Sequence, residues 1–190
     1  MNDRYIADEA FTRETDRDIF LSPATFDGCR FVQLDFTGLD FSGYQFIDCV
    51  FEGCNLSGVK LLGTSLRDVA FRQCKMIGLH FEDCHAVFFD AEFQDCNLDL
   101  SSFFKRKLAG KSFQGCSLRE ADFTEADLSA ANFAGADLQG AVFDQSNLEK
   151  ADFRTATGYS IDPERNRLKK AKFDLAGLPG LLEKYDLSVE

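Results

Sequence analysis

The sequence predicts an all-β solenoid with coils that are square in cross-section, and three observations predict it. Phe or Leu recurs every five residues, which matches neither the 3.6-residue period of a helix nor the two-residue period of a strand. A small residue usually stands two positions before each of these centres, and Gly often stands two positions after it. One short side and one corner for every five residues give a four-sided coil of 20 residues.

The large apolar centres run in steps of five from Phe26 to Phe81. The phase then slips by two residues, and the run resumes at Phe88 and continues to Phe153. Together the two runs hold 16 Phe, 9 Leu and one Met, which accounts for the excess of Phe over the other aromatic residues. Neighbouring coils are expected to pair like parallel strands, with their centres stacked about 4.8 Å apart in one continuous core.

All seven Cys fall in the small position two before a centre, where a thiol behaves as a compact apolar residue. No Cys-x-x-Cys pair occurs, and parallel stacking in a reducing compartment does not favour disulfides. We therefore expect no metal site and no cofactor. A convex rod without a Gly-rich phosphate loop also argues against an enzyme.

The repeat divides the chain into three predicted parts. Residues 1–20 lack the repeat and are expected to form an N-terminal cap. Residues 21–157 are expected to form the β-helix, and residues 158–190 a C-terminal cap and dimerisation segment.

Apolar residues near the C-terminus fall at helical spacing and predict a short α-helix. They are Leu178, Leu181, Leu182 and Tyr185. One side of such a helix would cover the last coil. The other side would remain available to a second copy of the chain, because a two-fold contact needs only one self-complementary patch.

Two segments interrupt the repeat. Residues 82–87 contain two extra residues that must form a bulge or a loop. Within 104–111, Arg106 and Lys111 occupy positions where small inward residues are expected. A buried, unpaired Arg is very costly, so either the wall opens here or the side chains turn outward.

Residues beside these interruptions are candidates for contact with a partner. Phe89 and Phe104 directly follow their centres and are expected to point outward. Lys105, Arg106 and Lys107 interrupt both the repeat and the acidic surface. The alternative is a tolerated defect of the repeat that contacts nothing.

The net charge of −11 predicts repulsion from nucleic acids and anionic membranes unless a local basic patch intervenes. We therefore expect neither direct nucleic-acid binding nor membrane association. The chain shows no secretion signal, which predicts a cytoplasmic protein. One segment has a basic face, made by five cations after the repeat: Arg165, Arg167, Lys169, Lys170 and Lys172.

Three acidic residues are expected to form a column on one side of the rod. Asp48, Asp68 and Asp90 are separated by 20 and 22 residues, and the extra two residues match the slip. Such a column would place carboxylates about 5 Å apart, as a partner-binding surface or as an acidic face that favours solubility.

The stretch ADFTEADLSAANFAGADLQGAVF resembles the A-(D/N)-(L/F)-x-x consensus of pentapeptide repeat proteins. The resemblance covers residues 21–157 and implies a right-handed quadrilateral β-helix. The ending YSIDPERNRLKKAKFDLAGLPGLLEKYDL is similar to that of the Qnr-type branch, which includes proteins that protect DNA gyrase from quinolones, albicidin or microcin. This second resemblance implies a tail-to-tail homodimer, with DNA gyrase and topoisomerase IV as partners.

These observations predict a dimeric rod that binds type II topoisomerases by resembling duplex DNA. Such a protein would compete with DNA or destabilise a drug-trapped cleavage complex, and would thereby protect the enzyme from topoisomerase poisons such as quinolones or inhibit it as they do. The alternative is a structural or scaffold protein of the same fold with no topoisomerase contact.

Overall fold

A computed structural model describes residues 4–187 and confirms an all-β parallel solenoid. Within this range the strands are β1 (Arg4–Ala7), β2 (Ala10–Phe11), β3 (Ala24–Asp27), β4 (Arg30–Val32), β5 (Gln45–Ile47), β6 (Val50–Glu52), β7 (Ser65–Arg72) and β8 (Phe89–Gln94). Short 3-10 helices cover Arg17–Phe20, Phe81–Asp83, Leu178–Leu181 and Glu183–Tyr185.

The strand pairings are parallel and join residues one coil apart. For example, β3 pairs with β5 so that Phe26 lies opposite Phe46. The sheet order is β1-β3-β5-β7-β6-β4-β2, and β8 also pairs with β7. Beyond the strands, the coils pair through isolated parallel bridges such as Asp122 with Val142. The offset of 20 residues confirms the predicted coil.

The coil has four sides, which we number after the inward centres in one coil. Faces I, II, III and IV carry Phe26, Phe31, Phe36 and Phe41 respectively. Each face continues along the rod at offsets of 20 residues, or 22 across the slip. Side chains that lie far apart in sequence therefore share a face.

Face II contains a continuous stack of phenylalanine rings that extends through the rod. Neighbouring rings lie nearly parallel, with centroids 4.4–5.5 Å apart. The stack consists of Phe11, Phe31, Phe51, Phe71, Phe93, Phe113, Phe133, Phe153 and Phe173. At about 4.8 Å per coil, its eight steps span roughly 38 Å.

The β-helix is longer at both ends than the predicted range 21–157. At the N-terminus, β1 and β2 pair in register with β3 and β4, so Phe11 is a centre and not part of a separate cap. At the C-terminus, Asp152 bridges to Lys172, and Phe173 stacks on Phe153. The periodic signal is too sparse in these end coils to separate them from a cap.

The inward small residues bond to the preceding coil as well as filling space. The Cys49 thiol donates to the carbonyl of Phe26 at 3.4 Å, and the Ser146 hydroxyl donates to that of Phe123 at 2.9 Å. Burial raises the pKa of Cys49 to about 12, so its thiol keeps the proton that it donates. All seven Cys are buried and free, as a packing role requires.

We expect Cys49→Ala and Cys116→Ala to keep the fold. Ala fills the same position at Ala121 and Ala131, so each change should lower the free energy of unfolding by less than about 2 kcal/mol. Urea unfolding measures the loss, and Phe113→Ala is the control, with an expected loss of about 3–5 kcal/mol. One zinc ion per purified chain, or a cysteine variant as unstable as the control, would refute the packing role.

Candidate interaction surface

The two-residue slip forms a projecting loop at the corner between faces IV and I. A 3-10 helix ends at Asp83, and residues 84–88, the slip loop, follow it. Val87 in this loop is 77% exposed. The parallel register shifts here, because Leu66 pairs with Phe89 whereas Val69 pairs with Ala91.

Phe88 and Phe89 exchange the roles that the spacing predicts. Phe89 is the inward residue, packed edge-to-face on Phe81 with ring centroids 5.9 Å apart, so its predicted outward position is wrong. Phe88 is 36% exposed instead. Its ring contacts the Arg67 guanidinium, 3.8 Å from its centroid, and stacks with the His85 ring at 4.7 Å. These contacts hold an aromatic ring at the surface.

Arg106 points into the rod, contrary to the expectation of an open wall or an outward side chain. It is only 6% exposed, and its Nη2 donates to the carbonyls of Glu82, at 2.8 Å, and Cys84. Its guanidinium also lies 4.9 Å from the centroid of Phe89. Burial lowers the pKa of Arg106. The slip and Arg106 are therefore structurally linked, because the Arg106 guanidinium donates hydrogen bonds to the carbonyls of Glu82 and Cys84 in the segment that contains the two extra residues.

The other residues of this break remain at the surface. Phe104 is half-buried, with the Lys105 ammonium 4.6 Å from its ring centroid, and Lys107 is exposed. Lys105 also lies 3.4 Å from a carboxylate oxygen of Glu125. A variant of the whole Lys105–Lys107 segment would therefore combine a surface change with the loss of a buried side chain at Arg106.

The predicted acidic column is acidic over only part of its length. Asp48 and Asp68 are exposed and occupy corners with φ of 51°. Asp90 is half-buried and bonds to the Lys111 ammonium, which also lies 3.0 Å from Glu92. Lys111 is the second cation in a small-residue position, and it turns toward these acids instead of into the core.

A denser group of acids lies on face IV. The sequence prediction did not find it, because that prediction followed acids at only one position of successive coils. Within residues 80–165, this face carries seven carboxylates and two cations of its own, Lys105 and Arg165, and Lys184 of the C-terminal segment pairs with two of the carboxylates. We call the seven the acidic face: Glu82, Asp83, Asp122, Glu125, Asp144, Asp162 and Glu164. Summing charge over a whole face at the 20-residue offset, instead of over one column, would have found it.

The C-terminal segment forms two 3-10 helices instead of the predicted α-helix. Gly177 and Gly180 disfavour a regular helix, and a Cβ at Gly180 would lie 2.3 Å from the carbonyl oxygen of Tyr159. Gly180 in turn accepts a hydrogen bond from the Ile161 amide at 2.9 Å. The segment is therefore held tightly against the last coil.

Charged and apolar contacts divide this C-terminal segment into a docked and an open side. The Lys184 ammonium lies 2.6 Å from Asp162 and 2.8 Å from Glu164. Leu181 packs against the core. Three of the four predicted dimerisation residues are more exposed: Leu178 at 41%, Leu182 at 36% and Tyr185 at 47%.

In the part of the chain that the structure describes, no cluster of three or more His, Cys, Asp or Glu could hold a metal ion. Over the same residues, no helix is long and apolar enough to cross a bilayer.

A comparison with protein families agrees with the five-residue repeat and the parallel coils described above. The model of the pentapeptide repeat region matches residues 24–103 and 86–173. The chain belongs to the pentapeptide repeat family. A comparison with curated protein sequences found no match.

Solved structures of this family share the fold. A trypsin-treated variant of QnrB1, a plasmid-mediated fluoroquinolone resistance protein, matches with a TM-score of 0.65 and 20% identity over 99% of this chain and 98% of that one. Full-length QnrB1 gives 0.51 and 20% over 96% and 100%. HetL, involved in heterocyst differentiation regulation in the cyanobacterium Nostoc sp. strain PCC 7120, gives 0.52 and 18% over 91% and 85%.

Proposed function

We propose that this pentapeptide repeat protein binds DNA gyrase and topoisomerase IV by presenting the acidic face in place of duplex DNA. The observation that carries the proposal is the concentration of seven carboxylates on one side of the rod. Duplex DNA carries one charge per about 1.7 Å, so a protein mimic needs its acids gathered on one side. The resemblance of the ending to the Qnr-type branch supports the choice of partner.

The slip loop adds a second contact to this proposal. It lies at one edge of face IV and presents Val87 and Phe88 beside the acids. Exposed apolar residues on a rigid scaffold commonly anchor a partner, whereas surrounding charges mainly set orientation and association rate. We propose that the loop inserts into the topoisomerase while the acidic face aligns the rod.

The open side of the C-terminal segment would join two rods tail to tail. Leu178, Leu182 and Tyr185 expose apolar surface on this segment, and Leu175, three residues before Leu178, is 86% exposed. A two-fold contact between two such surfaces would cover both. The resulting double rod would be roughly twice 38 Å long, enough to follow both halves of a two-fold symmetric topoisomerase.

A scaffold role without topoisomerase contact is the second candidate. HetL matches this chain about as well as full-length QnrB1 does, with TM-scores of 0.52 and 0.51. A fold shared by proteins of such different roles does not choose between them. Binding to purified gyrase separates the two candidates.

Neutralising the acidic face is expected to weaken gyrase binding roughly tenfold, mainly through a slower association rate. We would replace Asp122→Asn and Glu125→Gln. Asn fits the first position because Asn132, at the same place in its repeat, accepts the same turn hydrogen bond. Surface plasmon resonance on immobilised gyrase measures both rate constants.

The matched control removes two carboxylates from the predicted column through Asp48→Asn and Asp68→Asn. Both residues are exposed corner residues with positive φ, which Asn tolerates. This control should bind gyrase within about twofold of the wild type if association depends on the acidic face. A larger loss in the control than in the face IV variant would assign the contact to the column instead.

A further inference from the structure

A groove with cationic walls lies near the C-terminal end, at the corner between faces I and II. Its volume is about 940 Å³. The groove forms because Ala130 and Ala134 have short side chains, while the next coils carry longer ones. Four cations line it, and we call it the basic groove after them: Lys150, Arg154, Lys170 and Lys172.

The basic groove keeps most of its positive charge. Asp152 is the one carboxylate among its lining residues, and it bonds to Arg154 through two nitrogens at 2.9 and 2.7 Å. Lys172 lies 3.4 Å from the same carboxylate. Within the described chain, Lys150 and Lys170 take part in no ion pair. Four cations against one carboxylate leave a net charge of +3.

The basic groove does not share a corner with the acidic face. Face I lies between the basic groove and the near edge of face IV. Lys150 and Lys170 occupy equivalent corner positions in successive coils, since the Lys150 amide bonds to the carbonyl of Lys169. Their ammonium groups therefore project side by side, about 4.8 Å apart at the backbone.

The lining of the basic groove favours phosphate over an acidic peptide. Lysines act as flexible point charges, which suits repeated phosphates, whereas the one guanidinium is already engaged by Asp152. A peptide partner would need a pocket for an apolar anchor, and the floor offers only the short side chains of Ala130 and Ala134. We propose that the basic groove binds the phosphate backbone of a DNA duplex, despite the net charge of −11.

The test is fluorescence anisotropy of a short labelled DNA duplex titrated with the full chain, without a topoisomerase. Three uncompensated cations predict weak binding at low ionic strength, with a slope of log K against log salt of about −3. Lys150→Gln with Lys170→Gln should reduce affinity roughly tenfold and make the slope shallower by about two. Gln fits these corners, because Gln145 has positive φ at a similar one.

The matched control is Lys60→Gln with Lys75→Gln, which removes two exposed lysines from faces IV and III. Unchanged DNA binding in this control, together with the loss in the groove variant, supports the proposal. Three results would overturn it: no binding to the duplex at low ionic strength, an equal loss in the control, or displacement of DNA by polyglutamate at equal charge concentration. If the chain does not bind the duplex, saturation by inorganic tripolyphosphate would show that the groove binds free phosphate instead.

Discussion

Arg106→Ala is expected to release the slip loop and to lower the free energy of unfolding by about 3 kcal/mol. The carbonyls of Glu82 and Cys84 would lose their buried donor, and a cavity would open beside Phe89. Ala is compatible with the coil itself, because Ala126 fills the equivalent position one coil later. The loss should therefore be local to the loop and its neighbouring coils.

Urea unfolding measures the loss of stability, and hydrogen exchange locates it. The amide of Leu66, which bonds to the carbonyl of Phe88, should exchange faster in the variant. Amides in the distant coil around Phe133 should keep their protection, because each coil contacts only its neighbours. Lys107→Ala, an exposed change one residue away, is the control. An Arg106→Ala protein as stable as this control would contradict the role of the guanidinium.

Leu178→Asp combined with Leu182→Asp is expected to convert a dimer into a folded monomer. Both side chains are on the open side of the C-terminal segment, so the charges should prevent pairing and leave the last coil covered. Gyrase binding should then weaken by roughly a hundredfold, because two linked rods gain avidity that one rod lacks. Light scattering measures the mass, and surface plasmon resonance measures binding.

Two further variants separate dimerisation from folding. Leu21→Asp with Leu100→Asp adds the same charge at exposed positions elsewhere and should remain dimeric. Leu181→Asp places a charge on the docked side, where the Leu181 side chain packs on the core, and should destabilise the C-terminal cap. A monomeric wild type, or a monomeric variant that binds gyrase as tightly as the wild type, would refute the tail-to-tail proposal.

The period of five was enough to predict the coil and its continuous core, because every coil repeats the same five-residue pattern of one large and one small inward residue. The ring stack from Phe31 to Phe153 confirms that prediction. Phe11 and Phe173 are also inward centres of the ring stack, but too few regular repeats surround them for the spacing to be recognised. The ends of the β-helix were therefore placed too far inward.

The structure around the slip loop and Arg106 depends on tertiary contacts, which the spacing of residues in the sequence cannot predict. Phe88 and Phe89 are adjacent and chemically identical, so only the shifted register decides which one points inward. Arg106 could be buried only because loop carbonyls from the preceding coil meet its guanidinium. The C-terminal helix was a different case, since Gly177 and Gly180 already disfavoured an α-helix in the sequence.

Competition between this protein and duplex DNA for purified gyrase tests the central claim most directly. The Lys150→Gln, Lys170→Gln variant is the protein to use, so that direct binding to DNA does not obscure the result. We predict that this variant binds gyrase, that increasing DNA displaces it, and that adding Asp122→Asn and Glu125→Gln weakens the binding. No binding to gyrase, or binding that DNA does not affect, would contradict DNA mimicry.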